Sequence, residues 1–182
     1  EKGAEVLELP AISTTPIPDN NLLRNAIGEL HIYQWLVFTS PTGVRIFFEA
    51  LKAEKKDLRA LAGLKIAVLG SGTAKALESH GLYPDLMPEI FEGEALGKAL
   101  AEKLSGGERI LIPRAALGGA ELIEELEKKG VTVDDIPTYD TLYETPGAVD
   151  EKAEFDTGEF LKEEMKRIGL SDIHKDELCL DS

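Results

Sequence analysis

Up to about residue 146 the chain alternates short, nearly unbroken apolar runs with longer amphipathic stretches. The runs fall at 6–9, 35–39, 65–69, 109–112 and 131–133, with a shorter candidate at 85–87 between Pro84 and Pro88. Runs this short and this continuously apolar predict strands covered on both faces, as in a parallel sheet, because a strand with one wet face would alternate. Between them the period becomes helical. Ala120, Leu122, Ile123 and Leu126 share one face while Glu121, Glu124, Glu125, Lys128 and Lys129 take the other, and Gly130 supplies the stop. Leu96, Leu100 and Leu104 form a second stripe, ended by Gly106-Gly107. Asp19 is the expected N-cap of a helix through Leu22, Leu23, Ala26 and Ile27. Strands alternating with helices predict an α/β domain, a doubly wound parallel sheet of about five strands with helices on both faces.

Two segments depart from the alternation. The run at 6–9 is followed by Pro10 and by Ser13-Thr14-Thr15-Pro16-Ile17-Pro18, which reads as a linker and not as a tight turn into a helix. The run is therefore either an edge strand or a ribbon arriving from a domain not present. At the other end Thr145-Pro146-Gly147 is a breaker cluster, and the composition shifts across it. The chain carries 20 Lys and Arg against 34 Asp and Glu, a net charge of −14. Residues 147–182, with 11 acidic and 5 basic side chains, hold −6 of that charge and one amphipathic stretch containing Phe160, Leu161 and Ile168. An acidic balance of this size argues against nucleic acid and anionic membranes as partners, since both demand a broad basic surface.

The single cysteine, Cys179, excludes an internal disulfide framework and fits a reducing, cytoplasmic compartment. No apolar run approaches the roughly 20 residues of a membrane-spanning helix. The opening Glu1-Lys2-Gly3-Ala4-Glu5 has neither a signal-peptide pattern nor an initiator Met, so residue 1 is not expected to be where the gene begins. His31, His80 and His174 have no metal-ligand spacing, and no metal is expected. Trp35, on an apolar run, is expected in the core.

Three loops, each following a predicted strand, are written in residues that bind anions. They are Thr39-Ser40-Pro41-Thr42-Gly43, Gly70-Ser71-Gly72-Thr73-Ala74 and Pro113-Arg114-Ala115. In an open α/β sheet the ligand lies beyond the carboxyl ends of the strands, where helix N-termini aim N–H groups outward. Amides, hydroxyls and one guanidinium would thus form an anion-binding rim. Each feature also has a plainer reading. Thr42 and Thr73 serve equally as caps of their own helices, and Arg114 equally as the partner of a nearby carboxylate. Gly70-Ser71-Gly72 lacks the third glycine of a dinucleotide fingerprint, and no P-loop lysine follows it. Tyr139, in Asp134-Asp135-Ile136-Pro137-Thr138-Tyr139-Asp140-Thr141, is expected to leave the sheet near the same edge. A phenol there is protonated at neutral pH and can donate a hydrogen bond or act as a weak acid, or it can simply pack its ring and wet its hydroxyl.

Taken in order, these pieces resemble the uroporphyrinogen-III synthase (HemD-like) family. The resemblance is carried by Gly3-Ala4-Glu5-Val6 with Leu9-Pro10, by Trp35 through Val44 with its Phe-Thr-Ser-Pro-Thr-Gly-Val block, by Ile66 through Ala74, by Leu111-Ile112-Pro113-Arg114 and by the segment 133–141. It implies a flavodoxin-like, HemD-like α/β domain, one of a pair joined by a two-stranded ribbon, with the site in the cleft between them and no cofactor. The reaction implied is cyclisation of hydroxymethylbilane to uroporphyrinogen III, with loss of water and inversion of the last pyrrole through a spiro intermediate. Tyr139 matches the family tyrosine that assists departure of the substrate hydroxyl. Thr39, Ser40, Thr42, Ser71, Gly72, Thr73 and Arg114 match loops that hold the substrate's acetate and propionate groups. On this reading residues 1–17 are an incoming strand and linker from a mostly absent first domain, 18–146 the α/β domain, and 147–182 an unassigned acidic tail. A monomer is expected, and the chain alone is expected to be inactive or nearly so. A noncatalytic anion- or nucleotide-binding module on the same scaffold is the alternative.

Overall fold

The computed structural model describes residues 12–143. The run at 6–9, His174, Cys179 and the amphipathic stretch of the tail lie outside the described residues. Strands β2 (Trp35–Phe38), β3 (Lys65–Val68), β4 (Arg109–Ala115) and β5 (Thr132–Tyr143) are parallel, and β1 (Ile12–Pro16) runs antiparallel to β5. The order across the sheet is β1-β5-β4-β2-β3. The sheet is thus mixed where a parallel one is expected, and the segment that reads as a linker is its antiparallel edge. Thr and Ser suit an exposed strand as well as a loop, so composition alone misplaces 13–16. The candidate at 85–87 contributes one isolated bridge, Leu86 to Ala67.

Five helices, α1 (Asn21–Gly28), α2 (Pro41–Ala53), α3 (Ser71–Glu78), α4 (Gly93–Ala101) and α5 (Glu121–Glu127), cover the two faces. Alternation along β2 divides the core. Leu36 and Phe38 pack with Ile27, Phe47, Leu51 and Leu77 under α1, α2 and α3, while Trp35 and Val37 pack with Leu96, Leu100, Leu122 and Leu126 under α4 and α5. Each such side chain, once buried, contributes about 1.5–3 kcal/mol. On the first face Phe47 packs edge to face with both Phe38 and Phe48, with the Phe38–Phe47 centroids 5.4 Å apart at 71°. His80 stacks on Phe48 at 4.0 Å, a packing role for that imidazole.

On the second face α4 and α5 approach closely because position 97 is glycine. A Cβ there would stand 2.7 Å from Cβ of Glu125 and 3.2 Å from the Leu122 carbonyl. Gly97→Ala is expected to destabilise the fold by about 1–3 kcal/mol through this clash, despite alanine's better helix propensity. Urea unfolding of the two proteins measures it; an unchanged or higher midpoint would mean the helices separate freely.

Two sequence expectations need correction at element ends. The cap of α1 is Asn20, whose side chain accepts from Leu23 N at 3.0 Å, while Asp19 sits in the turn before it at φ 46°. Asn20 also donates to the Pro137 carbonyl at 2.7 Å, which ties α1 to β5. At α3 the N-cap is Gly70, at φ 85°, and not Thr73, whose Oγ1 instead donates to the Leu69 carbonyl at 2.8 Å.

Candidate active site

In a doubly wound sheet a crevice opens where successive connections leave to opposite sides. Here β3 lies on one side of β2 while β4 and β5 lie on the other, so the switch point is at the carboxyl ends of β2 and β4. The loop leaving β2 turns at once into α2, whose N-cap is Ser40 with Pro41 at the first helical position. Ser40 Oγ accepts the Gly43 N–H at 3.0 Å. Gly43 is required there, since a Cβ would lie 3.0 Å from the Pro113 carbonyl of β4. The start of α2 therefore leans directly across the gap between the two strands.

Tyr139 reaches the same point from β5. It is a strand residue, paired with Ala115 on β4 and Pro16 on β1, and not a residue of a loop beyond the strand end as expected from the sequence. The register explains its direction. Arg114 pairs with Pro137 but Ala115 pairs with Tyr139, so Thr138 is an extra residue, a β-bulge in a parallel pair. Strict alternation from Ile136 would send Tyr139 to the opposite face of the sheet. The bulge shifts the phase by one, and Tyr139 returns to the face that buries Ile136 and carries α2. Thr138 fills the bulge, its Oγ1 donating to the Arg114 carbonyl at 3.1 Å. The phenol is 5% exposed, and its Oη lies 2.7 Å from Ser40 Oγ.

The loop leaving β3 lies alongside. A Cβ at Gly72 would touch Pro41 Cγ at 3.7 Å, so the N-termini of α2 and α3 are neighbours. They differ in one respect. Ser40 caps α2, whereas α3 has no side-chain cap, leaving its first N–H groups directed outward with Ser71 and Gly72 exposed. Thr39 and Thr42 are half-buried on the same rim, and Thr73 is buried with its hydroxyl turned inward.

Arg114 is placed differently. Following Ile110 and Ile112 along β4, it faces the α4–α5 side, 7% exposed, away from Tyr139. Its Nε and Nη2 each donate to Asp135 at 2.7 Å, and Nη1 donates to the Gly119 carbonyl at 2.5 Å. A side chain at Gly118 would overlap the guanidinium, so the loop after β4 is shaped around it. The carboxylate partner considered from the sequence is thus Asp135, the register partner of Ile112 on β5. Sequence reasoning missed Phe91 altogether. Its ring packs 3.6 Å from where a Gly70 Cβ would stand and is 54% exposed, an apolar wall beside the α3 N-terminus. An exposed aromatic beside a Gly-Ser-Gly turn is visible only once the chain is folded.

The profile of the family described as Uroporphyrinogen-III synthase HemD matches residues 1–168. This chain belongs to that family. A porphyrin biosynthesis protein HemD of Ruminiclostridium josui is 40% identical over 141 residues, covering 78% of this chain and 28% of that protein. A uroporphyrinogen-III synthase of Synechococcus elongatus is 31% identical, covering 76% of this chain and 52% of its relative. Among solved structures, a uroporphyrinogen III synthase mutant of Thermus thermophilus superposes with TM-score 0.60 at 24% identity, over 74% of this chain and 52% of that one. That likeness supports the fold. The chain spans about half the length of the curated synthase it matches, and less of the Ruminiclostridium protein. The family match runs past Thr145-Pro146-Gly147 into the segment read as an unassigned tail. Membership leaves the nucleotide-binding module without support.

A second polar cluster of this HemD-family domain lies at the opposite, amino end of the sheet. Tyr33 Oη donates to Asp134 at 2.5 Å, Arg109 Nε donates to the same carboxylate at 2.9 Å, and the guanidinium sits 5.6 Å from the Tyr33 ring centroid. Burial acts to raise the Asp134 pKa, but hydrogen bonds from Arg109 and Tyr33 outweigh it and hold the carboxyl below its usual range. Burial, then the bond to Asp134, pushes the Tyr33 phenol well above its usual value. A depressed carboxyl stabilises the fold fully above its unfolded pKa of about 4, and that stabilisation is lost as pH falls through the lower folded value. Asp134→Asn is expected to flatten the loss of stability below about pH 4, read from urea midpoints across pH. Parallel acid limbs in the two proteins would contradict it.

Proposed function

We propose that this chain supplies one of the two domains of a uroporphyrinogen-III synthase, a lyase of tetrapyrrole biosynthesis. The whole protein would close hydroxymethylbilane to uroporphyrinogen III with loss of water and inversion of the last pyrrole. The observation that carries the reading is the Tyr139 hydroxyl at the crevice between β2 and β4, held 2.7 Å from the cap of α2 and flanked by the uncapped start of α3. A phenol donates a proton or hydrogen bond to a departing hydroxyl. Outward N–H groups at Ser71 and Gly72, with Thr39 and Thr42, receive carboxylates of the substrate without a basic surface. Phe91 offers an apolar face to pyrrole rings.

The β1–β5 pair supports a second domain. Beyond Tyr139 and Pro16, β5 has only β1 as a ladder partner, so the two strands continue past the carboxyl edge of β4 as a two-stranded ribbon. Such a ribbon can carry another domain over the crevice and exclude water from it. Rate then comes from holding a flexible, reactive chain so that closure favours the inverted ring. Arg114, joined to Asp135 and the Gly119 carbonyl, braces the edge from behind and reaches substrate only if that pairing opens.

The test supplies freshly generated hydroxymethylbilane to the full-length gene product and resolves type I from type III product. Type III in excess of the spontaneous type I is expected. Type I alone, at the uncatalysed rate, would overturn the proposal.

A further inference from the structure

The pair Ser40–Tyr139 can be oriented by counting hydrogens. Ser40 Oγ has one hydrogen and two lone pairs, and one lone pair is already occupied by the Gly43 N–H at 3.0 Å. Its contact with Tyr139 Oη at 2.7 Å can be made with either oxygen as donor. Both choices leave one hydroxyl proton unassigned, but they differ in which oxygen presents it. If Tyr139 donates to Ser40, the phenol proton points inward and the serine must face the substrate. If Ser40 donates to Tyr139, all three donors point the same way, from the α2 N-terminus outward.

The second arrangement is favoured on two physical grounds. A hydroxyl that accepts an N–H becomes a better donor, because aligned hydrogen bonds polarise one another. The positive end of α2, 13 residues long, also sits at the start of this chain and favours electron density drawn toward it. Resting on the function proposed above, we infer that Ser40 is a positioning residue for Tyr139: the relay Gly43 N–H to Ser40 O–H to Tyr139 O–H turns the phenol proton out of the sheet and toward the leaving hydroxyl.

The proton count closes. The C–O bond of the hydroxymethyl group breaks with its electron pair leaving on oxygen, and that oxygen takes the Tyr139 proton and departs as water. The adjacent pyrrole nitrogen supplies the electrons that fill the methylene carbon. Ring closure later releases one proton from pyrrole carbon, which restores the phenol. Throughout, the Ser40 O–H stabilises the oxygen that has lost its proton, so the serine acts on the barrier and not on substrate binding.

Ser40→Gly isolates this role, because glycine keeps most N-cap stability while removing the hydroxyl. In the full-length gene product, with wild type first shown to yield type III, Ser40→Gly is expected to lower kcat about tenfold with KM within about twofold. Ser40→Thr, which restores a hydroxyl, is expected to recover most of that loss. In a Tyr139→Phe background the same Ser40→Gly change is expected to alter the rate less than about twofold, since there is no phenol proton left to orient. Rates are compared below the melting point of every variant. An unchanged kcat in Ser40→Gly, a loss confined to KM, no recovery by threonine, or an equal further loss in the Tyr139→Phe background would each overturn the inference. Failure of wild type to make type III would instead overturn the function on which it rests.

Discussion

Tyr139→Phe is expected to reduce the rate of type III formation by about 10²- to 10⁴-fold, the range typical of losing a positioned general acid. The ring stays, so the packing of Tyr139 against the α2 face survives, and only its bond to Ser40 is lost. A single hydrogen bond of this kind contributes about 1 kcal/mol to stability, so the melting temperature should move by only a few degrees. That contrast separates chemistry from folding: isomer-resolved product analysis should show type I formed spontaneously as hydroxymethylbilane persists, while circular dichroism stays native. Undiminished type III output would remove the role of Tyr139 and leave family membership intact.

Arg114→Ala is expected to act in the opposite sense, through the fold. The guanidinium is 8% exposed and makes two parallel bonds to Asp135 and one to a backbone carbonyl. Breaking a buried pair costs about 3–5 kcal/mol. The Asp135 side chain is 37% exposed, so water reclaims part of that cost and about 2–3 kcal/mol remains. The midpoint should fall on the order of 10 °C. Because the partners are coupled, adding Asp135→Ala to Arg114→Ala should cost little more than the single change. Additive losses in the two variants would show that the pair is not the source of the stability.

The two arginine readings show where sequence reasoning reaches its limit. Pro113-Arg114 at a strand end is equally the start of an anion site and the root of a buried strut, and the choice depends on which face position 114 takes. That face follows from Ile110 and Ile112, apolar positions legible in the chain, but the partner Asp135 sits on another strand, and pairing across strands is not written locally. Helices α1, α4 and α5 and the four parallel strands follow from apolar period, α2 and α3 only from the loops that start them, and the two faces of β2 follow from plain alternation. Residues 13–16 fail because hydroxyl-rich chain with proline carries the same local signal in an edge strand and in a linker. Asp19 fails by one position, since Asp and Asn are both good caps and only the turn at positive φ decides between them. Phe91 has no periodic signal at all; its place beside Gly70 comes from tertiary packing.

The bulge at Thr138 makes the position of the phenol a matter of parity. Tyr139 faces α2 because the bulge takes up the extra residue that stands between Pro137 and its own place opposite Ala115. Substituting Thr138 changes what fills the bulge but not the count. Deleting it would leave Tyr139 two positions after Ile136 and still opposite Ala115, so plain alternation would hold the phenol on the α2 face with no bulge at all. The bulge thus absorbs a one-residue difference in length, and the face that the phenol takes is the same with the extra residue or without it.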